Sequence, residues 1–433
     1  MNVKNKLPQG WVECELGKIF LIERGGSPRP IKNYLTDDKN GINWIKIGDV
    51  QKNSKYIYST KEKIKPEGKK HSRFVSDGDL ILSNSMSFGR PYILRTSGCI
   101  HDGWVVFRNI YKLAYEDFLY YILSSQNIYN EFAKVATGST VKNLNIDRIK
   151  PIKIKIPPIN EQKRIVEKIE KEFGKLDEGV EKLKLAQEQI KLYRQSVLKA
   201  AFGGSLFPLS TSKDFVLDDI AEITSSKRVY KDDYVKNGVP FYRTKEIKEL
   251  AHNLPISLEL FISDDKYNEF KEKYGVPNTG DILISAVGTI GEIYVVKNSD
   301  KFYFKDGNIL WLRNYKTNID QSYLKYLLRF HVSSIQNLTQ GAAYNALTIE
   351  KLKQFKVTLP LDIDEQKQIV REIEKRFEVA DEVERVITEN LEKTEQLKQS
   401  ILKKAFEGRL VPQDPTDQPA SELLAQIQAE RNK

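Results

Sequence analysis

Between Pro157 and Phe173 the chain reads PPINEQKRIVEKIEKEF, and between Pro360 and Phe377 it reads PLDIDEQKQIVREIEKRF. The shared glutamates, Glu161 and Glu365, stand 204 positions apart, close to half of the 433 residues. Any fold of this chain must therefore accommodate one unit twice. The likeness continues past these helix starts. QSVLKAAFGGSL (195–206) returns as QSILKKAFEGRL (399–410), SDGDLILSNSMSFGRPYIL (76–94) as NTGDILISAVGTIGEIYVV (278–296), and HDGWVVF (101–107) as KDGNILW (305–311). INWIKIGDV (42–50) and VPFYRTKEI (239–247) match more faintly. A unit of about 200 residues has been duplicated and its copies have diverged unevenly.

Each repeat ends in a long helix. Val166, Ile169, Phe173, Leu176, Val180, Leu183 and Ile190 recur at steps of three and four, with Gln187 as a polar exception, and Val197 and Ala201 continue the register. The second copy places Val370, Ile373, Phe377, Ala380, Ile387, Leu391, Ile401 and Ala405 on the same spacing. Lys and Glu interleave on the flanks, the pattern of a heptad seam. Proline precedes each start, and Gly203-Gly204 or Gly408 follows each end, which are helix boundary signals. A helix of about 40 residues spans on the order of 60 Å and needs a partner for its apolar stripe. The equal-length duplicate is the obvious one, parallel or antiparallel. The competing arrangement packs each helix on its own globular segment alone.

The segments between the helices read as mixed α and β. DLILS, YIL, WVVF and IKIKI are short, β-branched runs bounded by turn residues, as strands are. EDFLYYILSSQNIYNEFAKVA (116–136) and QSYLKYLLRFHVSSIQNL (321–338) are the helical stretches that follow them. Cys14 and Cys99 lie far apart without ligand spacing, so buried reduced thiols in a cytoplasmic protein are expected. No apolar run is long enough to span a bilayer.

Catalytic signatures do not emerge. The chain has no G-x-G-x-x-G after a strand and no GxxxxGK[ST] loop, and His71, His101, His252 and His331 stand isolated. An enzyme fused to recognition segments would carry such a site. What remains is polar, basic and glycine-bearing loop sequence at matching places. ERGGSPRP (23–30) offers Arg24, Ser27 and Arg29, opposite SSKRVYK (225–231) with Lys227, Arg228 and Lys231. SNSMSFGR (83–90) offers Asn84, Ser87 and Arg90, opposite Thr289 in SAVGTIGE. ATGSTVKNL (136–144) offers Ser139 and Lys142, opposite Tyr344 and Asn345. The run KYIYSTKEKIKPEGKKHSR (55–73) adds Lys69, Lys70 and Arg73, and the second copy has Arg243 and Lys245. Such side chains reach phosphates and base edges.

Charge separates the copies. Residues 1–160 carry 26 basic and 15 acidic side chains, whereas residues 201–364 carry 21 of each. A basic face points to a polyanion. The helices stay alike while the loops and charge between them differ, so one scaffold presents two different readers to a two-part, asymmetric target.

The opening LPQGWVECELGKI, the GDLILS and GDILIS strands, the DGW and DGN steps, IPPINEQKRIVEKI and LPLDIDEQKQIVREI, the LKAAFGGSL and LKKAFEGRL ends and the tail LVPQDPTDQPASELLAQIQAER together resemble the specificity (S) subunits of type I restriction–modification systems. The resemblance covers essentially the whole chain. It implies an α+β fold with an internal pseudo-twofold repeat: target-recognition domains at 1–156 and 205–360, and long helices at 157–204 and 361–410 that pair as an antiparallel coiled coil. A C-terminal tail with a short helix (411–433) completes it. It further implies that each domain reads half of a bipartite site on double-stranded DNA and that the helices set the spacer. Two methyltransferase (M) subunits would dock on the helices, and restriction (R) subunits would join through them. Adenine methylation and cleavage, with S-adenosylmethionine, ATP and Mg, would belong to those partners, and this chain would hold no cofactor or metal. A non-catalytic coiled-coil adaptor that binds protein is the alternative reading.

Overall fold

The computed structural model describes residues 7–51, 54–84, 88–109, 114–136, 143–206, 211–339 and 346–431. Its contacts divide the chain into two units, one of residues up to 183 together with those from 389 onward, the other of residues 184–388. The long helices run Ile159–Phe202 and Ile363–Phe406, 44 residues each. Each unit therefore holds the opening half of one long helix and the closing half of the other.

In both units these halves run antiparallel. In the first, Lys398 pairs with Asp177 and lies over the Phe173 ring, and Phe406 meets the Phe118 ring edge-on at 5.6 Å. In the second, Arg194 pairs with Asp381 and Glu384 and stacks on Phe377 at 5.1 Å. The two arrangements weighed from sequence coexist. Ile165, Val166 and Ile169 share one core with Phe118 and Leu119 of the globular segment and with Leu402, Ala405 and Phe406 of the opposing helix. Ile369, Val370, Ile373 and Phe377 do the same in the second unit with Tyr323, Val197, Leu198 and Ala201. The expected seam residues are buried or half-buried. Ile165, Ile369, Leu198 and Leu402 widen the stripe near the helix ends, where a globular segment also covers it.

The globular parts repeat a two-sheet plan. In the first unit, strands Leu21–Arg24, Trp104–Arg108, Leu80–Ser83, Pro91–Leu94 and Tyr56–Ile57 lie in that spatial order. The second unit orders Glu222–Thr224, Ile309–Arg313, Ile282–Ser285 and Ile293–Val295 in the same way. The other sheet of the first unit runs Leu35–Thr36, Glu62–Ile64, Ile42–Ile45, Gly98–Ile100 and Arg73–Val75; its counterpart runs Tyr234–Val235, Phe261–Ile262, Val239–Tyr242 and Tyr303–Phe304. Central strands such as Leu80–Ser83 and Ile282–Ser285 are buried along their whole length, so they read as continuous apolar runs without alternation. After strand Ile42–Ile45 the first unit builds short strands and 3-10 turns. After Val239–Tyr242 the second builds helices Thr244–Ala251 and Asp264–Lys273.

The repeated EQK has a structural cause. Gln162 is 1% exposed; its amide oxygen accepts from the Tyr115 backbone N–H at 2.7 Å and its nitrogen donates to the Pro157 carbonyl at 2.9 Å. Gln366 repeats this with the Asp320 N–H and the Pro360 carbonyl, both at 2.9 Å. One side chain thus satisfies two buried backbone groups and fixes a long helix to the start of a globular helix. Glu161, fully buried, accepts from Trp11 Nε1 at 3.1 Å and from Gln413. Asp417 accepts from Arg164 at 2.8 Å and Asn160 at 3.2 Å. Through these bonds, and through Leu424 and Ile427 of helix Ala420–Arg431, the tail closes onto the first unit.

Candidate nucleic-acid interface

The first candidate loop is built around Asp102. Gly25 donates its N–H to the Trp104 carbonyl at 2.9 Å, and Gly26 to that of Ile100 at 3.1 Å. A Cβ on Gly25 would lie 2.1 Å from the His101 carbonyl oxygen, so only glycine lets the two backbones approach this closely. That approach brings Ser27 Oγ to Asp102 Oδ1 at 2.9 Å and Arg29 Nη2 to Asp102 Oδ2 at 3.3 Å, while Arg24 Nε donates to the Asp102 carbonyl at 3.2 Å. Burial alone would raise the Asp102 pKa, but the Ser27 hydroxyl and His101 hold it below the ordinary aspartate value. The carboxylate therefore stays ionised and orients Arg29, whose side chain remains 81% exposed.

The second unit repeats the arrangement with other residues. Ser225 Oγ donates to the Ile309 carbonyl at 2.7 Å and accepts from the Gly307 N–H at 3.0 Å. Arg228 Nε donates to Asp306 Oδ2 at 2.9 Å and stays 62% exposed. Lys227 lies over the Tyr274 ring, and Lys231 is exposed. An arginine held at one edge by a carboxylate keeps its other N–H donors pre-aimed, which suits bidentate recognition of a guanine edge or a phosphate. Asp102 and Asp306 escaped the sequence reading as orienting groups. Their signal was the repeated Asp-Gly step.

Other candidates fall differently. Lys69 stands over the Phe74 ring at 4.3 Å, Lys70 is exposed, and Arg73 pairs with Glu23 at 3.1 Å. Arg90 and Thr289 are exposed. Asn84 corrects the expectation of a surface contact. It is fully buried, its Oδ1 accepts from the Leu144 N–H, and its backbone N–H donates to the Gly103 carbonyl at 2.8 Å. It joins two loops from inside because both backbone groups there need partners. Arg243 is bound on both sides by Glu246 and Glu259, each at 2.8 Å, and Lys245 reaches Glu259 at 3.0 Å. Their charge is largely met within the protein. Ser87, Ser139, Lys142, Tyr344 and Asn345 lie outside the described residues. Within the lysine-rich run, Lys55 is no surface cation. Burial alone would lower its pKa, but Asp117 and Glu170 raise it above the ordinary lysine value, and Tyr56, Tyr120 and Tyr121 surround it. Cys14 and Cys99 are both buried and free.

The family model described as the type I restriction modification DNA specificity domain matches residues 8–185 and again 210–393. The chain belongs to this specificity family. Both matches span one globular segment and most of the long helix after it, the unit of the internal repeat. Among curated relatives, the type I restriction enzyme EcoBI specificity subunit of Escherichia coli is 28% identical over 97% of this chain and 92% of its own. A putative type I restriction enzyme specificity subunit of Haemophilus influenzae is 28% identical over 60% of this chain and 63% of its own. A chain from a solved type I restriction–modification system, 22% identical, superposes over 93% of this chain and 99% of its own with a TM-score of 0.71, the same fold. Among the described residues no helix is long and apolar enough to cross a membrane.

Proposed function

We propose that this specificity-family chain reads an asymmetric, two-part sequence on double-stranded DNA, one half with residues 1–156 and the other with residues 205–360. The long helices at 157–204 and 361–410 act as the spacer between the readers. The observation that carries this reading is one joint repeated with two surfaces. Gln162 and Gln366 make equivalent bonds, while the loops beside Asp102 and Asp306 present different side chains. Catalysis then rests with partners in the cytoplasm: two M subunits that methylate adenine, and R subunits that join through them to cleave. Those partners hold the S-adenosylmethionine, ATP and Mg. Docking on the helices is favoured by Leu185 and Leu192 on the first and Val379, Val383 and Val386 on the second, which stand 41–64% exposed at helical spacing. Apolar side chains left in water on a helix of this length suit a partner helix. The tail at 411–433, bound to the opening of the first long helix, is a further docking surface for these partners.

The decisive experiment exchanges residues 1–156 for the corresponding segment of another family member. Methylated bases are then sequenced in cells that express the chimera with its M partner. One half of the recognised site should change while the other half and the spacer stay. A change in both halves would refute the modular reading. Methyl transfer or cleavage by the purified chain alone would refute the assignment of catalysis to partners.

A further inference from the structure

The neutral second segment poses a problem that its ion pairs make sharper. A reader of DNA needs cations that phosphate can use, since phosphate contact supplies most of the affinity. Of the cations the sequence pointed to, Arg228, Arg243 and Lys245 each carry an intramolecular carboxylate. Elsewhere in this unit, among the described residues, a neighbouring pair of cations is half-buried without an ion pair. Lys325 and Arg329 lie four residues apart on helix Gln321–Phe330 and so share a face. Among the described residues neither makes a hydrogen bond or an ion pair, and the one contact of Lys325 is its place over the Tyr326 ring, 5.0 Å from the centroid.

The nearby carboxylates are engaged elsewhere. Glu292 bonds His252 Nε2 at 2.8 Å, Asp381 pairs with Arg194, and Glu374 acts on both Lys325 and Tyr326 without an ion pair to either. Burial, and then the charge of Arg329, push the Lys325 pKa down against the raising effect of Glu374; burial likewise lowers that of Arg329, with Arg194 adding to it and Tyr326, Glu292 and Asp381 opposing it. Two like charges one turn apart on a partly desolvated helix face disfavour each other and the burial. An arrangement of this kind is stable at low cost once an anion sits between the two.

The corresponding positions of the first unit hold no such pair. The helical positions that follow Tyr115 as Lys325 and Arg329 follow Asp320 are Tyr120 and Ser124. They line a cleft of about 580 Å³ with Arg90 and Tyr92. In the second unit the loop Gly288–Glu292, counterpart of the loop that carries Arg90, packs on the helix immediately after Arg329. Gln336 Nε2 donates to the Ile290 carbonyl at 2.8 Å, and a Cβ on Gly291 would lie 2.5 Å from Val332 Cγ2. The cation pair thus stands beside a loop singled out for DNA contact from sequence.

We propose that Lys325 and Arg329 form a phosphodiester site through which the second unit grips the backbone of its DNA half-site. The site rests on the DNA-reading function proposed above and adds a phosphate contact to those that Arg228 and Lys231 offer the neutral segment. The occupant is a DNA phosphate and not a partner's carboxylate, because residues 201–364 carry no net positive charge to help exposed cations such as Lys227 and Lys231 hold a duplex.

The test is fluorescence anisotropy of the full chain with a mixed-sequence duplex of about 30 base pairs, from 50 to 200 mM salt. Each phosphate contact contributes close to 0.9 to the slope of log K against log salt. Lys325→Gln/Arg329→Gln should flatten that slope by roughly 1–2 and weaken binding at every salt concentration. Thermal melting without DNA should stay at or above the unsubstituted value, since a repulsive pair is gone. Lys325→Arg/Arg329→Lys keeps both charges and should keep the slope, which separates loss of charge from misfolding. An unchanged slope in the glutamine variant overturns the site, as does a lost slope in the charge-preserving variant. Intact DNA binding with weakened assembly onto the M partner would also overturn it, by assigning the pair to a protein carboxylate. A failure of the unsubstituted chain to bind DNA with any salt dependence would instead sink the function proposed above.

Discussion

The two units use one joint and two surfaces. Gln162 and Gln366 sit 204 residues apart and make the same pair of bonds. Five and nine residues beyond the positions they pin, Tyr120 and Ser124 in one unit answer to Lys325 and Arg329 in the other. The difference follows from what each position must satisfy. At the joint, buried backbone donors and acceptors have few alternatives, so side-chain chemistry is fixed. At the surface, water satisfies every polar group, so the side chain is free to follow the ligand. Divergence of a duplicated chain then marks the places that meet something other than the protein.

The largest expected effect tests the sameness of the joint. Gln162→Leu and Gln366→Leu each strand a buried N–H and a buried carbonyl, at about 1–3 kcal/mol per stranded group. In urea unfolding followed by circular dichroism, both variants should lose stability by about 2–4 kcal/mol, and by similar amounts. A loss at one site alone would break the equivalence of the two joints.

A second comparison separates two buried indoles. Trp311 Nε1 donates to Asp281 at 2.8 Å, whereas Trp104 Nε1 has no partner among the described residues. Both rings are almost fully buried, so replacement by Phe removes comparable bulk. Trp311→Phe should cost about 1–2 kcal/mol more than Trp104→Phe, because it alone removes a hydrogen bond to a buried carboxylate, leaving Asp281 Oδ2 with only the Asn278 N–H. Equal losses in the same unfolding experiment would remove the Asp281 bond from the account.

Asp281 then sharpens the comparison through pH. Burial raises its pKa above the ordinary aspartate value, against the lowering effect of the Asn278 N–H and Trp311. A raised carboxylate pKa makes the folded state the tighter proton binder. Its contribution is fully present below the ordinary value and is lost as pH rises through the raised one. Asp281→Asn should therefore flatten the decline of melting temperature from about pH 4 upward, with the effect confined to this residue's unit. An unchanged profile would show that the carboxylate is not penalised by burial.

The smallest effect belongs to the helix pairs. Lys398→Ala and Arg194→Ala remove ion pairs whose acidic partners are largely exposed. Each should cost under about 1 kcal/mol, and less at high salt. A loss of several kcal/mol would mean that these ion pairs, and not the apolar seam, hold the helices together.

Much of the molecule was legible before any coordinates. The helices of 44 residues were readable because an apolar residue every three or four positions admits one periodic solution over that length. Strands such as Leu80–Ser83 were readable as β-branched runs between turn residues. Asn84 was misread because a polar side chain in a glycine-rich loop looks the same in sequence whether it faces water or a buried N–H. Lys55 was hidden for the same reason, since its carboxylates Asp117 and Glu170 come from remote segments.

The sequence by itself determined that one unit occurs twice, that each copy ends in a long amphipathic helix, and that charge parts the copies. These are properties of order and spacing along the chain. Tertiary structure alone decided which cations keep their charge for a partner. Asp102 and Asp306 orient arginines that remain exposed, Glu246 and Glu259 neutralise Arg243, and Lys325 and Arg329 make no ion pair among the described residues. Coulomb energy and desolvation depend on distance through space, and that distance is set only when the sheets and helices close on one another.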